Sequence, residues 1–121
     1  GFVFGIGDDL SNTQPQAQIT FDYDATQDTL VVLHDGGETI NGENTGQIQL
    51  SGSVSGDTGT INVTDSDSYD AGDAVAKYTT NGTATSGYDA ALDLTPSDEV
   101  DVVWVSNDGS ESNELGRFTV P

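Results

Sequence analysis

The single histidine of this chain, His34, stands beside an acid, Asp35, and a histidine–carboxylate pair is part of the machinery that activates a serine or cysteine nucleophile. The preceding run from Thr29 is apolar, so His34 is expected at the end of a buried-looking strand with its imidazole turned to solvent, next to Asp35 by accident of sequence. The nearest approach to a nucleophile elbow is Gly52-Ser53-Val54-Ser55-Gly56, but the central position that must present the serine is Val54. Gly5-Ile6-Gly7 opens like a dinucleotide-binding loop and then continues into Asp8-Asp9-Leu10, with no third glycine and no preceding strand. Paired carboxylates for glycoside hydrolysis are available, yet one Trp, four Tyr and four Phe, mostly in core phase, make a thin sugar platform. No residue is assigned a catalytic role, no cofactor is implied, and the chain is expected not to be an enzyme.

Hard cations want oxygen ligands, and Asp65, Asp67, Asp70 and Asp73 crowd into one loop. Their register does not fit an EF-hand, which would need an oxygen ligand at Tyr69, a glycine at Asp70 and a bidentate glutamate at Ala76. Only an irregular calcium loop survives there, and the excess of acid explains most of the cluster. Two sequons, Asn62-Val63-Thr64 and Asn81-Gly82-Thr83, offer acceptors for N-linked glycan if the domain is exported. Asn81 sits at an expected turn, whereas Asn62 would have to face away from the core.

The side chains that carry this chemistry sit in an unusual solvent coat. The 121 residues include 21 Asp and Glu against two basic residues, Lys77 and Arg117, for a formal net charge of −19. In dilute salt such a surface repels itself, whereas at molar ionic strength the Debye length falls to about 3 Å. The acid is scattered through strands and loops instead of gathered in a tail, as in the hydrated surface of a halophile's protein. Nucleic acid and anionic membrane surfaces are excluded as partners, because each phosphate contact needs a cation to displace counterions. Cysteine is absent, so neither disulfides nor thiolate metal sites support the fold. No run approaches the roughly 20 apolar residues that span a bilayer.

The elements that must position these residues are strands. Gln16 to Asp24 alternates strictly, with Ala17, Ile19, Phe21 and Tyr23 on one face. Thr29 to His34 is continuously apolar, as expected of a strand buried on both faces or central to a sheet. Ala25 to Asp28 would be the hairpin loop between them, and Asp35-Gly36-Gly37 a turn. Ile40, Ile48 and Leu50 predict two short strands around an Asn41-Gly42 turn; Ile61 and Val63 mark another. Asp65 to Asp73 reads as a loop, Ala74 to Thr80 as a strand, and Thr83 to Asp98 is poorly legible, with Pro96 blocking a central strand there. Glu99 to Ser106 is strongly apolar and carries Trp104; a hairpin at Asn107-Asp108-Gly109 returns through Leu115, Phe118 and Val120. About seven or eight short strands and no capped helix predict an all-β, immunoglobulin-like sandwich over residues 15–121, with Ile19, Phe21, Tyr23, Val32, Val102, Trp104 and Phe118 in its core.

Residues 1–14 form an apolar stub and hinge. Gly1-Phe2-Val3-Phe4-Gly5-Ile6-Gly7 meets Asp8-Asp9 abruptly and reads as the end of something longer, and Ser11-Asn12-Thr13-Gln14-Pro15 breaks into extended structure. The passage from Phe2 to Leu10, then Pro15-Gln16-Ala17 and Phe21-Asp22-Tyr23, resembles the haloarchaeal type IV pilins where their core helix passes into the first strand of the head. The segment from Val100 through Trp104 and Asn107-Asp108-Gly109 to Pro121 is similar to their closing hairpin, and Asp35-Gly36-Gly37-Glu38-Thr39-Ile40 adds a weaker block. The resemblance covers about half the residues in order along the chain.

That resemblance implies a subunit of an extracellular filament used in surface attachment or cell-to-cell contact, polymerised with copies of itself. A processed N-terminal helix would hold the membrane before assembly, and the β head would face solvent, open to surface or glycan contacts. Most of that helix is missing here, since six or seven residues rise only about 10 Å of the roughly 30 Å hydrocarbon core. Phe2, Val3, Phe4 and Ile6 are therefore the candidate assembly residues, either as a helix tip or as a donor strand with the period of Phe2, Phe4 and Ile6. The alternative from a different class is a cell-surface module that binds carbohydrate or calcium.

Overall fold

The computed structural model describes residues 14–53 and 59–121, and these are built of strands without a helix. Phe2, Val3, Phe4 and Ile6 lie outside the described residues, as do Val54 and Ser55 of the rejected nucleophile elbow. The strands are β1 (Ala17–Asp24), β2 (Thr29–Gly37), β3 (Ile40–Asn41), β4 (Gln47–Gly52), β5 (Thr60–Asn62), β6 (Ser68–Tyr69), β7 (Ala74–Thr79), β8 (Ala90–Ala91), β9 (Glu99–Val105) and β10 (Ser112–Thr119). Three of the ten, β3, β6 and β8, are two residues long; the remaining seven meet the expected number.

Two four-stranded sheets, ordered β1-β2-β7-β8 and β10-β9-β4-β5, pack face to face. With β1, β2 and β7 on one side and β4, β9 and β10 on the other, the order is that of an immunoglobulin-type sandwich. The two-residue ribbon β3-β6 is the third sheet. Alternation in the sequence becomes alternation in burial: Leu30, Val32 and His34 of β2 and Val100, Val102 and Trp104 of β9 turn inward, with Ile48, Leu50, Val75 and Tyr78 packed among them. Leu30, Val32, Ile48, Val100 and Val102 are fully buried. Each such side chain contributes about 1.5–3 kcal/mol relative to exposure.

Several expectations change in detail. β2 is central to its sheet, as expected, but its apolar run is half-buried on the outer face at Val31 and Leu33, and it continues through Asp35-Gly36-Gly37. The segment expected to turn is instead paired to Ala17 and Gln18 of β1, with a bulge between Gln18 and Ile19. Ile40 and Ile48 do not form one hairpin: β3 pairs with β6, inside the presumed acidic loop, whereas β4 pairs with β5 and β9. The Asn41-Gly42 turn exists, closed by Asn44 and Thr45 amides donating to the Asn41 carbonyl, but it carries the chain from one sheet to another. In the poorly legible region β8 runs parallel to β7, pairing Ala90 with Tyr78 and Ala91 with Thr79.

The core list also divides. Ile19, Val32, Val102 and Trp104 are buried, but Phe21, Tyr23 and Phe118 are only partly so. They line the seam where the sheet edges β1 and β10 meet. Phe118 stacks on Phe21 with ring centroids 5.4 Å apart and meets Tyr23 at 5.4 Å in a tilted arrangement. Gly116 lies at this seam, where an added Cβ would meet Ile19 and Phe21 at 3.5 Å, an ordinary packing contact.

Candidate functional site

The best-built feature is the junction through which residues 1–13 join the sandwich. Pro15 is buried, and the amide of Gln16 donates to Glu38 Oε1 at 2.7 Å while the Glu38 amide donates back to the Gln16 carbonyl at 2.8 Å. Gly37, at φ +98°, sits so close that any Cβ would collide with the Gln16 carbonyl oxygen. On the other sheet, Asn113 Nδ2 donates to Gln14 Oε1 at 2.8 Å. Gln14 to Gln16 are thus tied to Glu38, one residue past β2, and to Asn113 of β10. Of these partners sequence reading marked only the Gly36-Gly37 pair, and marked it as a turn.

β1 runs away from this junction for eight residues, or roughly 27 Å at about 3.4 Å each. The sandwich therefore has two poles. At the near pole lie Gly37, the β3–β4 connection and the Ser106 to Glu111 hairpin. At the far pole lie the β1–β2 turn, the segment after β7 and the start of β9.

The candidate chemistry does not converge. His34 is not the solvent-facing imidazole expected from its strand-end position, because the strand extends past it and its side chain points inward with no exposure. Nε2 donates to the Glu38 carbonyl at 2.6 Å, and Nδ1 is buried without a partner. Asp35, one residue on, projects from the opposite face and is exposed, so the two never form a dyad. Ser53 Oγ accepts the Glu99 amide at 3.0 Å. Trp104 is 1% exposed and offers no face to a sugar.

The acidic loop is consumed by its own turns. Asp67 Oδ2 accepts from the amide and hydroxyl of Thr64 at 2.9 and 3.1 Å. Asp73 Oδ2 accepts the Asp70 amide at 2.8 Å, and Asp70 accepts the hydroxyl of Thr39 across the β3-β6 ribbon. Asp65 is exposed. Among the described residues no three His, Cys, Asp or Glu side chains are grouped to hold a metal ion, so the geometry adds nothing to the calcium reading. The negative field is nonetheless felt locally. The Tyr69 phenol is pushed above its ordinary pKa, first by burial and then by the Asp67 and Asp89 carboxylates.

Cations are scarce where carboxylates are many. Arg117 on β10 bridges Asp101 of β9 at 2.8 Å and Glu114 at 3.2 Å, and its pKa is raised chiefly by the bond to Asp101. Both ion pairs found among the described residues belong to this one arginine. The sequons fall in unlike settings. Asn62 is exposed on the edge strand β5, and its Oδ1 accepts Gln47 Nε2 at 3.2 Å. Asn81 is exposed at the far pole, with Oδ1 accepting the Thr83 amide at 3.0 Å and Nδ2 reaching Asp28 Oδ2 at 3.4 Å.

In sequence comparisons, no family profile and no curated protein matches this chain.

Proposed function

We propose that this chain is the head of a self-assembling, non-enzymatic filament subunit of the archaeal type IV pilin kind, displayed outside a halophilic cell for attachment or cell-to-cell contact. The observation that carries the reading is the junction at Gln14 to Gln16, pinned to Glu38 just past β2 of one sheet and to Asn113 of β10 in the other. A contact made by the apolar residues Phe2, Val3, Phe4 and Ile6 is thereby tied to both halves of a rigid body, as a subunit transmitting load to its neighbours requires. Carboxylates over the rest of the surface keep such a polymer hydrated and dispersed in brine. The buried His34 and the self-satisfied acidic loop support a scaffold more than a binding module or a hydrolase.

Electron microscopy of the natural assembly in molar salt tests this, with the subunit's first residue read by mass spectrometry. Filaments are expected from the native protein and none from a Phe2→Asp, Phe4→Asp, Ile6→Asp variant whose β-sheet circular dichroism is unchanged. A native polypeptide that stays solitary with its whole N-terminal segment, or a variant that still polymerises, overturns the proposal.

A further inference from the structure

We propose that Asn81 carries an N-linked glycan at the pole farthest from the junction, and that Asn62, although it heads the same kind of tripeptide, is the poorer acceptor. The inference rests on the extracellular reading above. Asn81 forms a single antiparallel bridge with Asp93 and opens a stretch in which all seven residues through Gly87 are exposed, with Gly82 at φ +80°. The Asn81 amide nitrogen is held only by the long contact to Asp28. Asn62 lies within a ladder, opposite Gln47. Its neighbour Val63 is 7% exposed, and Thr64, whose hydroxyl completes the acceptor motif, donates that hydroxyl to Asp67. At Asn62 a transferase meets a laddered edge strand and an acceptor-motif hydroxyl already engaged by Asp67, whereas the residues that follow Asn81 are exposed and outside any strand.

The step is a simple displacement. Asn81 Nδ2 bonds to the anomeric carbon of a phosphate-activated oligosaccharide, the anomeric C–O bond breaks, the phosphate leaves with the electron pair, and one Nδ2 proton passes to a transferase base. The substituted amide keeps one N–H, enough for the bond to Asp28. Because β1 separates Asp28 from Ala17 by its whole length, a sugar on Asn81 stands clear of contacts made through the stub.

Glycopeptide mass spectrometry of the protein from its source cells, beside Asn81→Gln, Thr83→Ala and Thr83→Ser variants, is the test. The expected result is a sugar mass on the Asn81 peptide that is lost in the first two variants and kept in the third, with lower occupancy at Asn62. A bare or merely deamidated Asn81, or greater occupancy at Asn62, overturns the inference. Bare Asn81 within filaments leaves the filament reading standing, whereas bare Asn81 in a chain that never leaves the cell removes both.

Discussion

The indole Nε1 of Trp104 donates to the hydroxyl of Thr45 at 3.0 Å, inside the core, and shares that hydrogen with the Asn44 carbonyl, also at 3.0 Å. Thr45 lies in the β3–β4 connection, so one side chain of β9 fixes the passage between two sheets. Thr45 in turn donates to Asn44 Oδ1 at 2.8 Å, completing a buried polar knot.

Thr45→Val leaves the indole its carbonyl but removes its second acceptor and breaks the knot. A loss of about 1–2 kcal/mol is expected in denaturant titration. Trp104→Ala, which also empties the largest fully buried side chain, should cost about 3–5 kcal/mol. Equal losses in the two variants would show that the knot, and not the packing, dominates.

Gly37→Ala forces a Cβ against the Gln16 carbonyl at a backbone angle that alanine rarely adopts. The start of β1 should detach, with a loss of about 1–3 kcal/mol and faster amide exchange at Gln16 and Gln18 than at Phe21. Gly72→Ala also has positive φ, but a Cβ there meets nothing, so it reports backbone strain alone. Matching melting temperatures and exchange rates in the two variants would remove the clash from the argument.

With two basic residues against 21 acidic ones, stability must climb as salt screens the surface. The Debye length shortens from about 10 Å at 0.1 M to about 3 Å at 1 M. A gain of about 2 kcal/mol or more over that range is expected, or roughly 6–12 °C in melting temperature. Arg117→Gln should shift the whole curve only slightly, because the pair it breaks is exposed. A flat salt response would mean that the carboxylates are too far apart to repel.

Tyr78 is 1% exposed and its hydroxyl has no partner, and its pKa is raised above the ordinary 10.0 by burial and then by Asp89. A folded-state pKa above the unfolded one means that the unfolded chain releases the proton first. The stabilising contribution is therefore complete below about pH 10 and declines as the solution becomes more alkaline. Tyr78→Phe deletes the orphaned hydroxyl, so stability at pH 7 should hold or rise by up to about 1 kcal/mol, and the loss above pH 10 should shrink. A variant with the same alkaline transition as the native protein would assign that transition to another group.

Strict alternation made β1 legible to within a residue, and the apolar run with Trp104 did the same for β9. Both are long strands whose inward and outward faces differ in chemistry, which is what a pattern reading detects. The Asp35-Gly36-Gly37 stretch misled because turn-forming residues also serve at a bulged strand end, where Gly37 is needed for the close approach of Gln16 and not for a reversal. That error carried His34 outward in the reading, since a strand thought to end there leaves its last side chain free. β3, β6 and β8 were invisible or misassigned because two-residue strands have no period; β3 and β6 exist only through each other, and β8 leans on Tyr78 and Thr79. The junction partners Glu38 and Asn113 are separated from Gln14 to Gln16 by 22 and 99 positions, and no local signal spans such a gap.

The distance between the two poles also determines how the domain bears tension. A pull applied at Gln14 and resisted at Asn81, just past β7, runs lengthwise through the β1–β2 hairpin, whose second strand is bonded to β7 from Thr29 to Leu33. The rungs of that ladder must then slide and fail together, where a sideways pull would unzip them one after another. A domain loaded along that line would in this way hold through many weak bonds at once.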